Sequence, residues 1–126
     1  MPTHTPNAIT PHPKLTELPP LGMDRKTIDE DFLRYYNRTL GRDKQHCTDH
    51  YLYEALAYTV RDRLLDRWLS TAKTYKKTQS RTVCYLSAEY LLGPHLGNNL
   101  LNLGIAEQAA QAAEELGLDS EEILEQ

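Results

Sequence analysis

The longest stretch of the chain without glycine or proline runs from residue 42 to residue 92, and its first part has a strong helical pattern. Apolar side chains recur at four-residue intervals, which places them on one face of a helix. They are Leu52, Leu56, Val60, Leu64 and Trp68. We predict a helix over residues 49–77, capped by Thr48 or Asp49 and roughly 40 Å long at 1.5 Å per residue. So long a helix extends beyond its neighbours in a chain of 126 residues and needs more protein to lie against.

A shorter helix is predicted before it, over residues 27–40. Thr27 and Glu30 have the spacing of a capping box, and Gly41 is well placed to end the helix. The predicted buried face has an apolar residue on each turn. It consists of Phe32, Leu33, Tyr36 and Leu40.

The chain after residue 80 changes character twice. Residues 82–86 are β-branched and aromatic, which predicts a short buried strand whose pairing partners lie largely outside the chain. After a turn at Gly93 and Pro94, helices are predicted over residues 96–103 and 105–116, ended by Gly104 and Gly117. Asp119 or Ser120 starts another. The chain itself is therefore predicted to be mostly α-helical with one short strand.

Composition divides the chain into a tail and an incomplete domain. Residues 1–22 hold six of the seven prolines and lack apolar periodicity, so we predict a flexible tail there. Residues 23–126 are predicted to form one part of a larger domain. Two cysteines without metal or redox spacing, no signal peptide and no membrane-length apolar run predict a cytoplasmic protein.

Charge excludes some partners and leaves others open. The net charge of −4 disfavours nucleic acid. Seven basic and two acidic residues lie between Arg61 and Arg81, whereas seven acidic and no basic residues lie between Ile105 and Gln126. These runs are either two solvated helix faces of opposite sign or surfaces that meet further protein or an anionic ligand.

Catalytic and metal-binding patterns are sparse. His46, His50 and His95 have no ligand spacing, and Ser87 lacks the flanking glycines of a nucleophile elbow. Glu89 follows the predicted strand between small and apolar neighbours, where a carboxylate either meets a specific partner or is solvated. Because ligands often bind where strands end, Glu89 is the one candidate site residue, and an ordinary solvated carboxylate is the alternative.

Three motifs in register resemble one known family, the glycogen (α-glucan) phosphorylases. Tyr58-Thr-Val-Arg-Asp-Arg-Leu64 with Arg67-Trp68 is similar to the family's AxTVRDxL…RW. Tyr85-Leu-Ser-Ala-Glu89-Tyr-Leu-Leu-Gly93 resembles YLSxEFxxG, and Leu96–Leu103 resembles LxNxxxNL. The resemblance covers residues 31–126, about three quarters of the chain.

The resemblance implies a large enzyme. Family members are two-domain α/β, Rossmann-like glycosyltransferases and homodimers that use inorganic phosphate to release glucose 1-phosphate from α-1,4-glucan ends. Their cofactor is pyridoxal 5′-phosphate on a lysine of the C-terminal domain. By the same resemblance, Glu89 lines the glucose-binding cleft and holds sugar, phosphate or ordered water. The family's GLGNGGLGRLA loop would begin after Gln126, so the chain is expected to be an inactive N-terminal fragment with no catalytic residue, cofactor or metal of its own.

Departures from the family pattern indicate a bacterial type. The tail lacks the phosphorylatable serine and the basic charge of animal members. Ala72, Lys73 and Lys76 replace the Gln-Gln-x-x-Tyr residues that contact AMP, and Pro94-His95 replaces Arg-Thr after Gly93. Two hypotheses stay open: an enzyme fragment, or a stand-alone helical module that kept this layer to bind a partner.

Overall fold

The computed structural model of the chain describes residues 16–88, 93–119 and 121, and these residues form four α-helices. α1 spans Arg25–Arg34 and continues as a π-helical turn, Tyr35–Thr39. α2 spans Asp49–Thr78, α3 Leu96–Leu103 and α4 Ala106–Glu115. The mostly helical fold that the sequence predicts is confirmed.

The N-cap of the first helix lies three residues earlier than its sequence pattern predicts. The Asp24 carboxylate accepts from the Thr27 backbone N–H at 3.1 Å, which makes Asp24 and not Thr27 the N-cap. Glu30 lies 3.9 Å from Lys26 and closes no capping box, so that prediction is wrong. A Cβ at Gly22 would come within 2.7 Å of the Thr27 hydroxyl, and this close approach of the backbone requires glycine before the cap.

The core lies where α1 and the first half of α2 meet α3 and α4. On α1, Phe32 and Tyr36 are buried and Leu40 is partly buried as predicted, whereas Leu33 is 42% exposed. Leu52, Leu56 and Val60 of α2 are buried. Ile28 of α1 and Ala55 of α2 are buried as well. The remaining buried apolar side chains are contributed by α3, α4 and the connection between them. They are Leu96, Leu100, Leu103, Ile105, Ala109, Ala112 and Ala113.

The second half of α2 leaves this core, as the sequence predicts. Every residue from Arg67 to the end of the helix is exposed, and Trp68, the last member of the predicted stripe, is 64% exposed. At 1.5 Å per residue, this exposed part of the helix continues for roughly 18 Å past Asp66.

The strand predicted over residues 82–86 is not formed. Residues 81–88 make no strand, and Val83, Tyr85 and Leu86 are about nine-tenths exposed. A strand is stable only when its backbone groups pair with another strand, and the described part of the chain offers no second strand. Residues 82–86 therefore have the composition of a strand but no partner strand among the described residues.

α3 and α4 end at the predicted glycines. Gly104 has φ +73°, a left-handed conformation that glycine adopts without steric cost, and Gly117 follows α4. The Asp119 carboxylate accepts from the Glu121 N–H at 2.8 Å, as at the start of a further helix. Ser120 and residues 122–126 lie outside the described residues, as do residues 1–15 of the predicted tail.

Candidate functional site

The structure does not describe Glu89, the one site residue that the sequence predicts. Residues 89–92 lie outside the described part of the chain. On either side of them, the exposed segment 81–88 and the exposed turn at residues 93–95 connect α2 to α3. The role of Glu89 therefore stays a prediction.

The most strongly buried polar group in the described residues is Arg63, whose side chain is fully enclosed between α1 and α2. Its Nε donates to the Gly22 carbonyl oxygen and its Nη1 to the Thr59 carbonyl oxygen, both at 2.9 Å. Its Nη2 lies 3.0 Å from the Asp31 carboxylate as an ion pair, without hydrogen-bond geometry. Arg63 therefore holds α1, α2 and the segment before α1 together.

A second polar contact joins the same two helices. The Tyr35 hydroxyl donates a short hydrogen bond to Asp62, and the Tyr35 ring stacks on Tyr58 at 5.4 Å. Burial, with the hydrogen bond to Asp62, raises the pKa of Tyr35. Arg34 lies over the same ring and pairs with Asp31 at 3.0 Å, and this carboxylate raises the pKa of Arg34. Both groups keep their ordinary charge at neutral pH.

Residues 16–22 run along α2 and complete an open cleft of about 550 Å³. The Leu21 N–H donates to the Asp66 carboxylate at 2.8 Å. Glu17 forms an ion pair with Lys73, which lies two turns further along α2. The lining combines aliphatic side chains with carboxylates and one guanidinium. It consists of Leu18, Pro19, Leu21, Asp31, Arg34, Asp62, Leu65 and Asp66.

Each carboxylate in this cleft is paired with another group of the chain. Asp31 is neutralised by two arginines, Asp62 accepts from Tyr35, and Asp66 accepts from a backbone N–H. The cleft has no nucleophile beside a base, which acyl transfer or hydrolysis requires. We therefore assign its polar groups to joining the helices.

The arrangement of α3 depends on Arg67. Its Nη1 donates to the Asn102 carbonyl oxygen at 3.1 Å and its Nη2 to the Leu103 carbonyl oxygen at 2.8 Å. These carbonyls end α3, where a helix has unpaired acceptors and a partial negative charge. Arg67 is thus a side-chain cap that fixes α3 to α2.

Metal and thiol chemistry have no support in the described residues. No cluster of histidine, cysteine or carboxylate groups there could hold a metal ion. His46 pairs with Asp43 at 2.7 Å on the surface. Cys47 and Cys84 are exposed and form no disulfide. Burial of the Tyr36 hydroxyl, together with its hydrogen bond to Cys47, raises the pKa of Tyr36 to about 12.

Comparison with known proteins finds similar sequences in one kind of protein, the glycogen phosphorylases. No known family model matches the chain. Residues of this chain are 62% identical over 85 residues to a glycogen phosphorylase of Synechocystis, covering 68% of the chain and 10% of that protein. They are 38% identical over 98 residues to the muscle form from Ovis aries and 34% identical over 103 residues to glycogen phosphorylase 2 of Dictyostelium discoideum. The resemblance to glycogen phosphorylases is confirmed.

The chain spans about a tenth of the length of these relatives, so it corresponds to a segment of a glycogen phosphorylase. Two arginines of the phosphorylase-like helix motif have clear structural roles, Arg63 inside the core and Arg67 at the end of α3. Sequence reasoning counted both as part of a basic run. The available signal was spacing, because Arg63 is seven residues from Leu56 and three from Val60 and therefore shares their buried face.

No lysine of the described residues is enclosed as a lysine that binds pyridoxal phosphate would be. A lysine that forms a Schiff base is normally enclosed in an apolar pocket, where its pKa falls. All described lysines lie on exposed surface instead. They are Lys26, Lys44, Lys73, Lys76 and Lys77.

No helix in the described residues is both long enough and apolar enough to cross a membrane.

Proposed function

We propose that this chain is the N-terminal segment of an α-glucan phosphorylase, a 1,4-α-D-glucan:phosphate α-D-glucosyltransferase. The completed enzyme cleaves α-1,4-glucan ends with inorganic phosphate and releases glucose 1-phosphate. The observation that carries the proposal is the 62% identity over 85 residues to a cyanobacterial glycogen phosphorylase. We expect the segment by itself to be inactive, because the family resemblance assigns the glycine-rich loop and the cofactor lysine to other parts of the enzyme.

The segment contributes a rigid base for the residues that approach the glucan. Arg63 joins α1 to α2, and Arg67 joins α2 to the end of α3. Residues 79–95, which include Glu89, connect the end of α2 to the start of α3. Both ends of this connection are therefore held by the helices. In the completed enzyme, residues 82–86 pair as a strand and Glu89 binds sugar, phosphate or ordered water.

The remaining properties belong to the completed enzyme. It is a cytoplasmic homodimer whose pyridoxal 5′-phosphate is attached to a lysine outside this segment.

A chimera tests the proposal directly. The matching 85 residues of the Synechocystis protein are replaced by those of this chain, and phosphorolysis of maltodextrin is measured as glucose 1-phosphate formed. We expect an active enzyme. A chimera that folds, binds pyridoxal phosphate and releases no glucose 1-phosphate would contradict the proposal.

The role of Glu89 is tested in the same chimera. Glu89→Gln keeps the size of the side chain and removes its charge, so we expect a loss of phosphorolysis with normal cofactor content. Glu107→Gln, the same change at an exposed position of α4, is the matched control and should keep full activity. Equal activity of the two variants would remove Glu89 from the glucan site.

A stand-alone partner-binding module is the second candidate, because the exposed half of α2 is a surface without covering. The chimera separates the two. A segment selected only to bind a partner has no reason to complete a foreign active site, and it would leave the chimera inactive.

A further inference from the structure

The C-terminal end of α3 is completed by a side chain of another helix. An α-helix leaves the carbonyl oxygens of its last four residues without partners inside the helix. The backbone N–H groups of the glycine turn after α3 satisfy two of these four, the carbonyls of Leu100 and Leu101. The other two, those of Asn102 and Leu103, accept from the guanidinium of Arg67 at 3.1 and 2.8 Å. Arg67 of α2 therefore supplies every partner that the turn after α3 does not.

Arg67 also supplies the directional part of the contact between α2 and α3. The rest of the contact is apolar, through Leu96, Leu100 and Leu103, which are buried in the core. Because apolar burial is non-directional, these leucines hold α3 against the core without fixing its position along α2. The guanidinium donates to two successive carbonyls in a planar fork, and within the described residues no other side chain of α2 hydrogen-bonds to α3. Arg67 therefore sets the register and the tilt of α3.

The tilt of α3 decides where the preceding chain lies. α3 begins at Leu96, directly after the exposed turn of residues 93–95, and is about 12 Å long at 1.5 Å per residue. Once its C-terminal end is released, a tilt of about 10° displaces one end of α3 relative to the other by about 2 Å. A displacement of about 1 Å that starts far from the reacting atoms can lower the rate of an enzyme about a hundredfold. The anchor at Arg67 is therefore stiff on the scale that catalysis requires.

We propose that Arg67 is a positioning residue for phosphorolysis in the completed enzyme, and that it acts through α3 on the connection between α2 and α3. The proposal rests on the proposed function, which places Glu89 of this connection at the glucan. Both Nη groups of Arg67 donate to carbonyl oxygens of α3, so its role is to hold a helix and not to contact the substrate. Arg67 is exposed, in contrast to Arg63, so it can be replaced without opening the core.

Steady-state kinetics of the chimera tests this role with three variants. Arg67→Ala removes both hydrogen bonds, and Arg67→Lys keeps the charge and a donor without the guanidinium fork. Arg34→Ala is the matched control, because it removes a partly exposed guanidinium of α1 whose contacts are Asp31 and Tyr35. We expect kcat/KM for maltodextrin, per bound pyridoxal phosphate, to fall about tenfold or more in Arg67→Ala. It should recover in part in Arg67→Lys and stay at the value of the parent chimera in Arg34→Ala.

Two further measurements separate positioning from a general loss of stability. Amide hydrogen exchange of residues 96–104 should be faster in Arg67→Ala and unchanged in Arg34→Ala, because only the first variant loses the anchor of α3. In a chimera that already carries Glu89→Gln, Arg67→Ala should add little further loss of kcat/KM, because two changes that act through the same group are not additive.

The results that would overturn the positioning role differ from those that would overturn the proposed function. The role fails if the parent chimera is active and Arg67→Ala keeps its kcat/KM, if Arg34→Ala loses as much, or if amide exchange in α3 is unchanged. It also fails if the losses of Arg67→Ala and Glu89→Gln add fully. A parent chimera that releases no glucose 1-phosphate overturns the proposed function and the role of Arg67 with it. The activity of the parent chimera therefore distinguishes the two failures.

Discussion

The buried ion pair between Asp31 and Arg63 supplies the sharpest test of how this fold is held together. Arg63 has no exposed surface, and Asp31 is 8% exposed. Asp31→Asn keeps the volume of the side chain and removes the negative charge. The guanidinium of Arg63 then stays buried with only the two carbonyl oxygens of Gly22 and Thr59 as partners.

The expected cost follows from leaving one charge uncompensated. Breaking a buried pair at one partner costs about 3–5 kcal/mol, whereas replacing both partners by neutral groups is often close to neutral. Arg63→Met should cost about 1–3 kcal/mol, because Asp31 keeps Arg34 at 3.0 Å while the hydrogen bonds to the Gly22 and Thr59 carbonyl oxygens are lost. The double variant should therefore be more stable than Asp31→Asn alone.

Urea unfolding followed by far-UV circular dichroism measures these differences. Trp68 is a poor fluorescence probe, since it is already 64% exposed in the folded chain. With a slope of about 2 kcal/mol per molar urea, Asp31→Asn should lower the midpoint by about 2 M. Glu30→Gln, on an exposed side of α1, should stay within about 0.5 kcal/mol of the parent. Equal stability of Asp31→Asn and the double variant would refute the reasoning.

Three further perturbations test other parts of the structure. Arg67→Ala removes the cap of α3 and should cost about 1–2 kcal/mol in urea unfolding, whereas Ala substitution of exposed Lys77 should cost little. Gly104→Ala forces φ +73° on a residue with a Cβ and should cost about 1 kcal/mol in the same assay. Burial, with the neighbouring Glu115, raises the pKa of Asp29 above 3.8, so its ionised form destabilises the fold. Asp29→Asn should therefore be more stable than the parent above that raised pKa, and the difference should shrink as pH falls through it; a constant difference would contradict this assignment.

Helical periodicity predicted the part of the fold that local physics controls. α2 was predicted over residues 49–77 and is found at Asp49–Thr78, because four-residue apolar spacing and the absence of glycine and proline act within one helix. The end of α3 at Gly104 follows equally local rules. The cap of α1 was placed at Thr27 instead of Asp24, because the capping-box spacing does not report how closely Gly22 packs against both side chains.

The distribution of charged residues along the sequence predicted exposed surfaces and did not predict which charged residue is buried. Arg63 was counted with the basic run of residues 61–81, yet it is fully buried. Its burial depends on Asp31, which is 32 positions away in the sequence, so no local pattern could pair them. The prediction of a strand over residues 82–86 was wrong because it used local composition alone. A strand also needs a second strand to pair with, and local composition does not report one.

The position of the candidate glucan site depends on the exposed second half of α2, residues 67–78. α2 ends at Thr78, roughly 16 Å beyond the level at which Arg67 holds the end of α3. Residues 79–95 connect that distant end to the start of α3, and Glu89 lies within this connection. The helices therefore fix the two ends of the connection, while its course depends on whatever packs against residues 67–86. A carboxylate placed by such an arrangement becomes a binding group only when that second surface is present, which is why the chimera tests Glu89 and the isolated chain cannot.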